Sequence, residues 1–209
     1  MLDYQYSRKL NRAFPFLLTA IIIVLYLADN FVIGKWLGGF WGTYVVRPLL
    51  WAILAVLVIR FFPGIRPAGK LRLRKFLCWM AFLCGALAII ASLATGVLDG
   101  FGKSPYDLSP RGILTNVIYL GTFVVGLEFS RAWLINRVFR NNPTLGVILV
   151  SLFLALFWFP ASILTTLIEN LKIVQFLGTT LFPAISENLL ASYLALLGGA
   201  WPAIIYRGT

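Results

Sequence analysis

The chain contains no histidine, and only seven acidic residues, two cysteines and two methionines among its 209 residues. Without histidine, H-E-x-x-H metal sites, Ser–His and Cys–His nucleophile pairs and histidine-held cofactors are all excluded. Cys78 and Cys84 stand six residues apart in an apolar stretch, on different faces of a helix. They are expected to form neither a disulfide nor a zinc site, and they say nothing about redox compartment. The G-x-x-x-x-G-K phosphate loop is also missing, which leaves nucleotide hydrolysis without support. No cofactor and no metal are expected.

Charge is scarce as well. Only 12% of residues are charged and 60% are hydrophobic, with a mean hydropathy of +0.90. A soluble domain carries about 25% charged residues. Apolar runs recur that are long enough to cross a ~30 Å hydrocarbon core as helices. The fold class is therefore all-α, a polytopic transmembrane bundle forming a single domain over 1–209. Six spans are expected, at about 14–34, 44–62, 76–98, 112–135, 145–168 and 184–205. The first has a basic flank, but its apolar run continues past ~15 residues with no A-x-A-like site after it, so it reads as a retained anchor rather than a signal peptide.

The net charge of +11 follows the same layout. With the N-terminus in the cytoplasm, thirteen of the 18 basic residues fall on that side, including Arg207 after the last span, and five fall outside. This obeys the positive-inside rule and places both termini in the cytoplasm of a multi-pass cell-membrane protein. The basic loop FFPGIRPAGKLRLRK (61–75) is expected to attract anionic lipid at the inner surface. No platform of aromatic and basic residues lies outside the bilayer, so nucleic acid is not an expected partner.

Helices in lipid associate through small residues and interhelical hydrogen bonds. Ala81, Gly85, Ala88, Ser92, Thr95 and Gly96 share a face in the third span, and Ser151, Ala155 and Ser162 share one in the fifth. In the sixth, Ala184, Glu187, Ala191, Ala195 and Gly198 form a row with Asn188, Ser192 and Gly199 beside it. That row directs Glu187 into the bundle. Trp36, Trp41 and Tyr44 read as an outer interfacial belt, and Trp79, Trp133, Trp201 and Tyr206 as an inner one.

Ionisable groups inside spans are costly and need partners. Asp29, Arg47 and Glu187 fall at similar depth in this topology. They are expected to form an outer-leaflet polar cluster with Asn188, in which Arg47 pairs with Asp29, Glu187 or both. Glu128 and Arg131, three residues apart, are expected to pair on one helix face near the cytoplasmic interface. Three readings follow for the cluster: an ion pair that fixes helix register and orientation, a proton or ion path through Glu187, or a polar groove that receives a substrate's membrane segment. Asp99 and Asp107 lack the G-x-G-D sequence of intramembrane aspartyl proteases and read as turn residues. Lys103 and Ser104 are adjacent in the same loop, but a Ser–Lys dyad requires a buried site. No catalytic residue is expected.

The stretch LFPAISENLLASYLALLGGAWPAIIYRG (181–208) resembles the end of the multi-span membrane region that precedes the catalytic domain in signal peptidase I-like proteins of archaea and Gram-positive bacteria. The pattern ENLLASYLA…GG…IIYRG carries the resemblance. In that family the active serine is followed by methionine and a general-base lysine lies further along. The methionines here are Met1 and Met80, and neither follows a serine, so no catalytic residue carries over. The resemblance implies a membrane module without the peptidase, working with a peptidase domain on the same chain or on a partner. A fragment that stops before one more crossing and a stand-alone relative are both compatible with it.

Overall fold

Ser109 and Pro110 show how the sequence sets a helix boundary. Ser109 is extended (φ −61°, ψ 153°) and its Oγ accepts from the Gly112 N–H at 3.1 Å, while Pro110 takes the first helical position, where no N–H is needed. The structure is a computed structural model describing residues 2–33, 39–62, 66–100, 109–158, 173–174 and 176–209. Among these residues there are helices and turns and no strand.

Seven α-helices organise the described chain. They are α1 (Leu2–Leu27), α2 (Arg47–Phe61), α3 (Arg74–Asp99), α4 (Pro110–Trp133), α5 (Pro143–Ala155), α6 (Phe182–Gly198) and α7 (Ala200–Gly208). Wider π-helical turns extend α1 through Ala28–Ile33 and α4 through Leu134–Val138, and precede α2 and α6. Among the described residues five stretches are long and apolar enough to cross a membrane: Ala13–Ile33, Gly42–Phe61, Leu71–Leu98, Pro110–Val138 and Leu177–Gly198. Large apolar side chains such as Phe16, Val97 and Leu98 stand outward, at 73–84% exposure. A soluble surface does not carry so much contiguous hydrocarbon; this is a helical membrane protein.

Two expected spans take a different form. The fifth, 145–168, is described as the shorter apolar helix α5 and a 3-10 turn, Leu156–Trp158; residues 159–172, with Ser162, lie outside the described residues. Trp36, Lys103, Ser104 and Asp107 also lie outside them. The sixth, 184–205, is two helices, because Gly199 adopts φ 77°, ψ −162° and ends α6. Helix α7 then folds back. Along a straight helix, Glu187 and Arg207 would be ~30 Å apart at 1.5 Å per residue; instead they line one groove with Gly85, Tyr206 and Thr209. Arg207 and Thr209 therefore stand level with the middle of α3, the Arg207 side chain buried and Thr209 exposed.

The turn between α6 and α7 is held by the basic loop. The last carbonyls of a helix lack intrahelical partners, and here Ala68 N–H donates to Leu196 O at 2.9 Å and Gly69 N–H to Leu197 O at 3.1 Å. The core forms where α2 lies against α4. A Cβ on Gly126 would stand 2.7 Å from the Trp51 carbonyl oxygen, so only glycine lets the two backbones approach this closely. Trp51 packs edge-on to Phe123 at 4.7 Å, and Phe62 edge-on to Trp133 at 5.0 Å. Trp133 is thus buried in the core rather than placed in an interfacial belt.

Candidate functional site: a buried ionic clasp

Helix α4 carries the centre of the site. Glu128 and Arg131 share a face, and both side chains are fully buried. Arg131 Nε lies 2.7 Å from Glu128 Oε2. Its other nitrogens cross to α6: Nη2 donates to Asn188 Oδ1 at 2.7 Å, and Nη1 donates to Ser192 Oγ at 2.7 Å and to Asn188 O at 3.0 Å. Helix α5 joins through Ser151, whose Oγ is 2.8 Å from Ser192 Oγ and 3.1 Å from Asn188 O. Asn188 Nδ2 donates to Ala184 O at 2.8 Å. From α7, Arg207 Nε approaches Glu128 Oε1 at 3.4 Å. One step along α4's extension, Asn136 donates to Ala195 O at 2.9 Å. Four helices meet on these groups.

The local sequence explains why this is possible. Spacing of three puts Glu128 and Arg131 one above the other, while Gly126 faces Trp51 of α2 on another side of α4. On α6, Asn188 and Ser192 are four apart, flanked by Ala191 and Ala195, which are fully buried. The guanidinium fork matches an amide and two further oxygens at once, as a point-charge ammonium would not.

Several expectations need correction at this site. Glu187 is exposed and does not enter the bundle centre. Successive i, i+4 steps drift by about 40° round a helix, so the face running through Asn188, Ala191, Ser192 and Ala195 leaves Glu187 at its edge. There it lines a groove of about 290 Å³ between α3, α6 and α7. The expected four-residue cluster is divided. Arg47 Nε pairs with Asp29 Oδ1, its Nη2 donates to Asp29 O at 3.2 Å, and both side chains are about four-fifths buried. Among the described residues no ion pair joins Glu187 to Arg47. Asn188 belongs with Arg131 instead. Glu128 and Arg131 are paired on one face of α4 as expected, and both are buried within the protein, with Arg207 of α7 against Glu128.

Replacing Arg47 with leucine leaves the Asp29 carboxylate with little water and no cation. The partial exposure limits the cost, to about 1–2 kcal/mol. A lower melting midpoint in detergent is expected, largely restored in the double variant D29L/R47L; an unchanged midpoint for R47L would show that the pair contributes nothing.

Comparison with protein-family models, curated proteins and solved structures yields no match for this chain.

The chemistry of the clasp is that of a fastening. Ser192 and Ser151 supply the hydroxyls of the clasp, and the charged group against Ser192 is a guanidinium, which carries donors only and cannot accept a proton. Neither serine is activated as a nucleophile. Glu128 is set between two guanidinium groups, those of Arg131 and Arg207. Arg207, Ser151 and Ser192 are the members that sequence reasoning missed. The serines read as small packing residues, and Arg207 as one more cytoplasmic charge. The signal that would have found Arg207 was Gly198-Gly199 followed by Pro202, a helix-breaking sequence inside an assumed continuous span.

Proposed function

We propose that this chain is an integral membrane scaffold that anchors and orients a signal peptidase-like activity, supplied by a domain on the same chain or by a partner, with no catalytic site of its own. The observation that carries the reading is the clasp: its buried charges face protein groups on four helices, which suits a rigid support. The resemblance over 181–208 supplies the kind of activity supported, and its ENLLAS and IIYRG segments hold Asn188, Ser192 and Arg207. In this reading the protein resides in the cell membrane with its N-terminus in the cytoplasm. The Gly199 break supports a C-terminal helix that turns back into the bilayer. Cross-linking in native membranes, followed by peptide mass spectrometry, tests it. Links from the 61–75 loop or from α7 to a polypeptide carrying a Ser–Lys peptidase domain are expected. Recovery of this chain linked only to itself would overturn the scaffold reading.

One observation favours a second reading, a small transporter: Glu187 is exposed in a groove that also holds Arg207. A titrating site there predicts pH-dependent flux in proteoliposomes that Glu187→Gln abolishes while the fold survives. The scaffold reading predicts no flux above protein-free liposomes. Flux that depends on Glu187 would replace it.

A further inference from the structure

Helix α3 opens on basic residues. Arg72 lies in the 3-10 turn Leu71–Leu73, Arg74 and Lys75 begin the helix, and its first turn has no acidic residue. All three side chains are exposed. Among the described residues the ion pairs engage Arg47, Arg131 and Arg207, and none engages these three. The positive end of the helix dipole adds to the same field, an unfavourable concentration that an anion relieves.

Directly beside these charges a groove of about 790 Å³ runs between α3 and α7. Trp79, Phe82, Trp201 and Ile205 form its walls, and Arg74 and Lys75 stand at one end. Its size is that of a small-ligand site. Its walls are almost entirely carbon, so a peptide backbone lying in it would leave N–H and C=O groups without partners. Hydrocarbon ending in a negative charge fits both halves of the groove. Tryptophans at the boundary of hydrocarbon and headgroups are suited to such a position. Trp201 and Ile205 belong to the returning helix, so the groove depends on the Gly199 turn.

We infer that the groove between α3 and α7 binds one anionic phospholipid, its phosphate held by Arg74 and Lys75 and an acyl chain laid along Trp79, Phe82 and Trp201. This is a discrete site, distinct from the diffuse attraction of the whole basic loop for an anionic surface. It holds whether or not the scaffold reading does.

The test is native mass spectrometry of the intact chain released from nanodiscs containing equal amounts of phosphatidylglycerol and phosphatidylcholine with matched acyl chains. One retained phosphatidylglycerol per chain is expected. The double variant R74Q/K75Q should lose the preference by about tenfold or more, since each basic residue near an anionic headgroup contributes appreciably. The control R66Q/K70Q removes the same charge from the same loop but away from the groove, and should keep it. F82A/W201A should lower retention of the lipid. No headgroup preference in the wild type, or equal losses in the two charge variants, would overturn the site in favour of diffuse attraction. Unchanged retention in F82A/W201A would overturn the acyl-chain placement.

Discussion

Replacing Arg131 with leucine is expected to lower stability by about 3 kcal/mol, the low end of the range for breaking a buried ion pair, because Arg207 stays near Glu128. The loss has two sources. Glu128 loses the cation 2.7 Å away, and Asn188 and Ser192 lose the donors that bind α6 to α4. Buried groups left without partners cost more than the average bond contributes. Glu128→Gln should be comparably damaging, since it leaves two guanidinium groups facing each other without their shared anion. Arg207→Leu should be milder, because the closer Arg131–Glu128 contact persists. Arg131→Lys should fall between, as an ammonium cannot span the amide and both hydroxyl and carbonyl acceptors. Melting midpoints in one detergent give the order directly. An R131L protein that melts with the wild type, or melts above R207L, would remove the clasp as the organising contact.

Gly199→Ala is expected to release α7. The residue sits at φ 77°, ψ −162°, a region that is essentially glycine's alone, and a side chain there costs about 1–3 kcal/mol. The added Cβ would also stand 3.3 Å from the Pro67 ring, in the loop that caps α6. A cheaper outcome for the chain is to move α7 away from α3. A cysteine pair at Gly85 and Thr209, in a background with Cys78 and Cys84 replaced by serine, reports this. A Cβ on Gly85 would lie 2.8 Å from the Thr209 Cβ, so a small shift at the chain end brings the pair to disulfide distance. Oxidation should cross-link the pair with Gly199 intact, and several-fold less with alanine there. Equal cross-linking would mean that the turn forms without glycine.

The helical architecture was legible because hydropathy and boundary residues agree. The span expected from 112 starts as α4 at Pro110, two residues earlier, capped by Ser109. The Asp29–Arg47 contact was within reach too, since two oppositely charged residues at one depth in adjacent spans have few alternatives. The clasp was harder to read. Whether Glu187 or Asn188 faces the centre depends on about 100° of helix rotation, and a row of alanines is too broad to decide it. Burial of Glu128 and Arg131 depends on α7, whose direction depends on one backbone angle at Gly199. A continuous apolar run conceals such a reversal, because hydropathy reports how far a segment extends in lipid and not whether it turns.

The distribution of the clasp along the chain bears on how the protein is made. Glu128 and Arg131 lie on one helix, whereas Asn188 comes 57 residues after Arg131. At about 5–20 residues per second of synthesis, α4 waits roughly 3–11 seconds for α6. During that interval an isolated arginine would resist entry into the bilayer, but a carboxylate one turn away on the same helix offsets its charge. The internal pair makes α4 insertable before its partners exist, and the later helices then exchange a self-neutralised segment for a shared one.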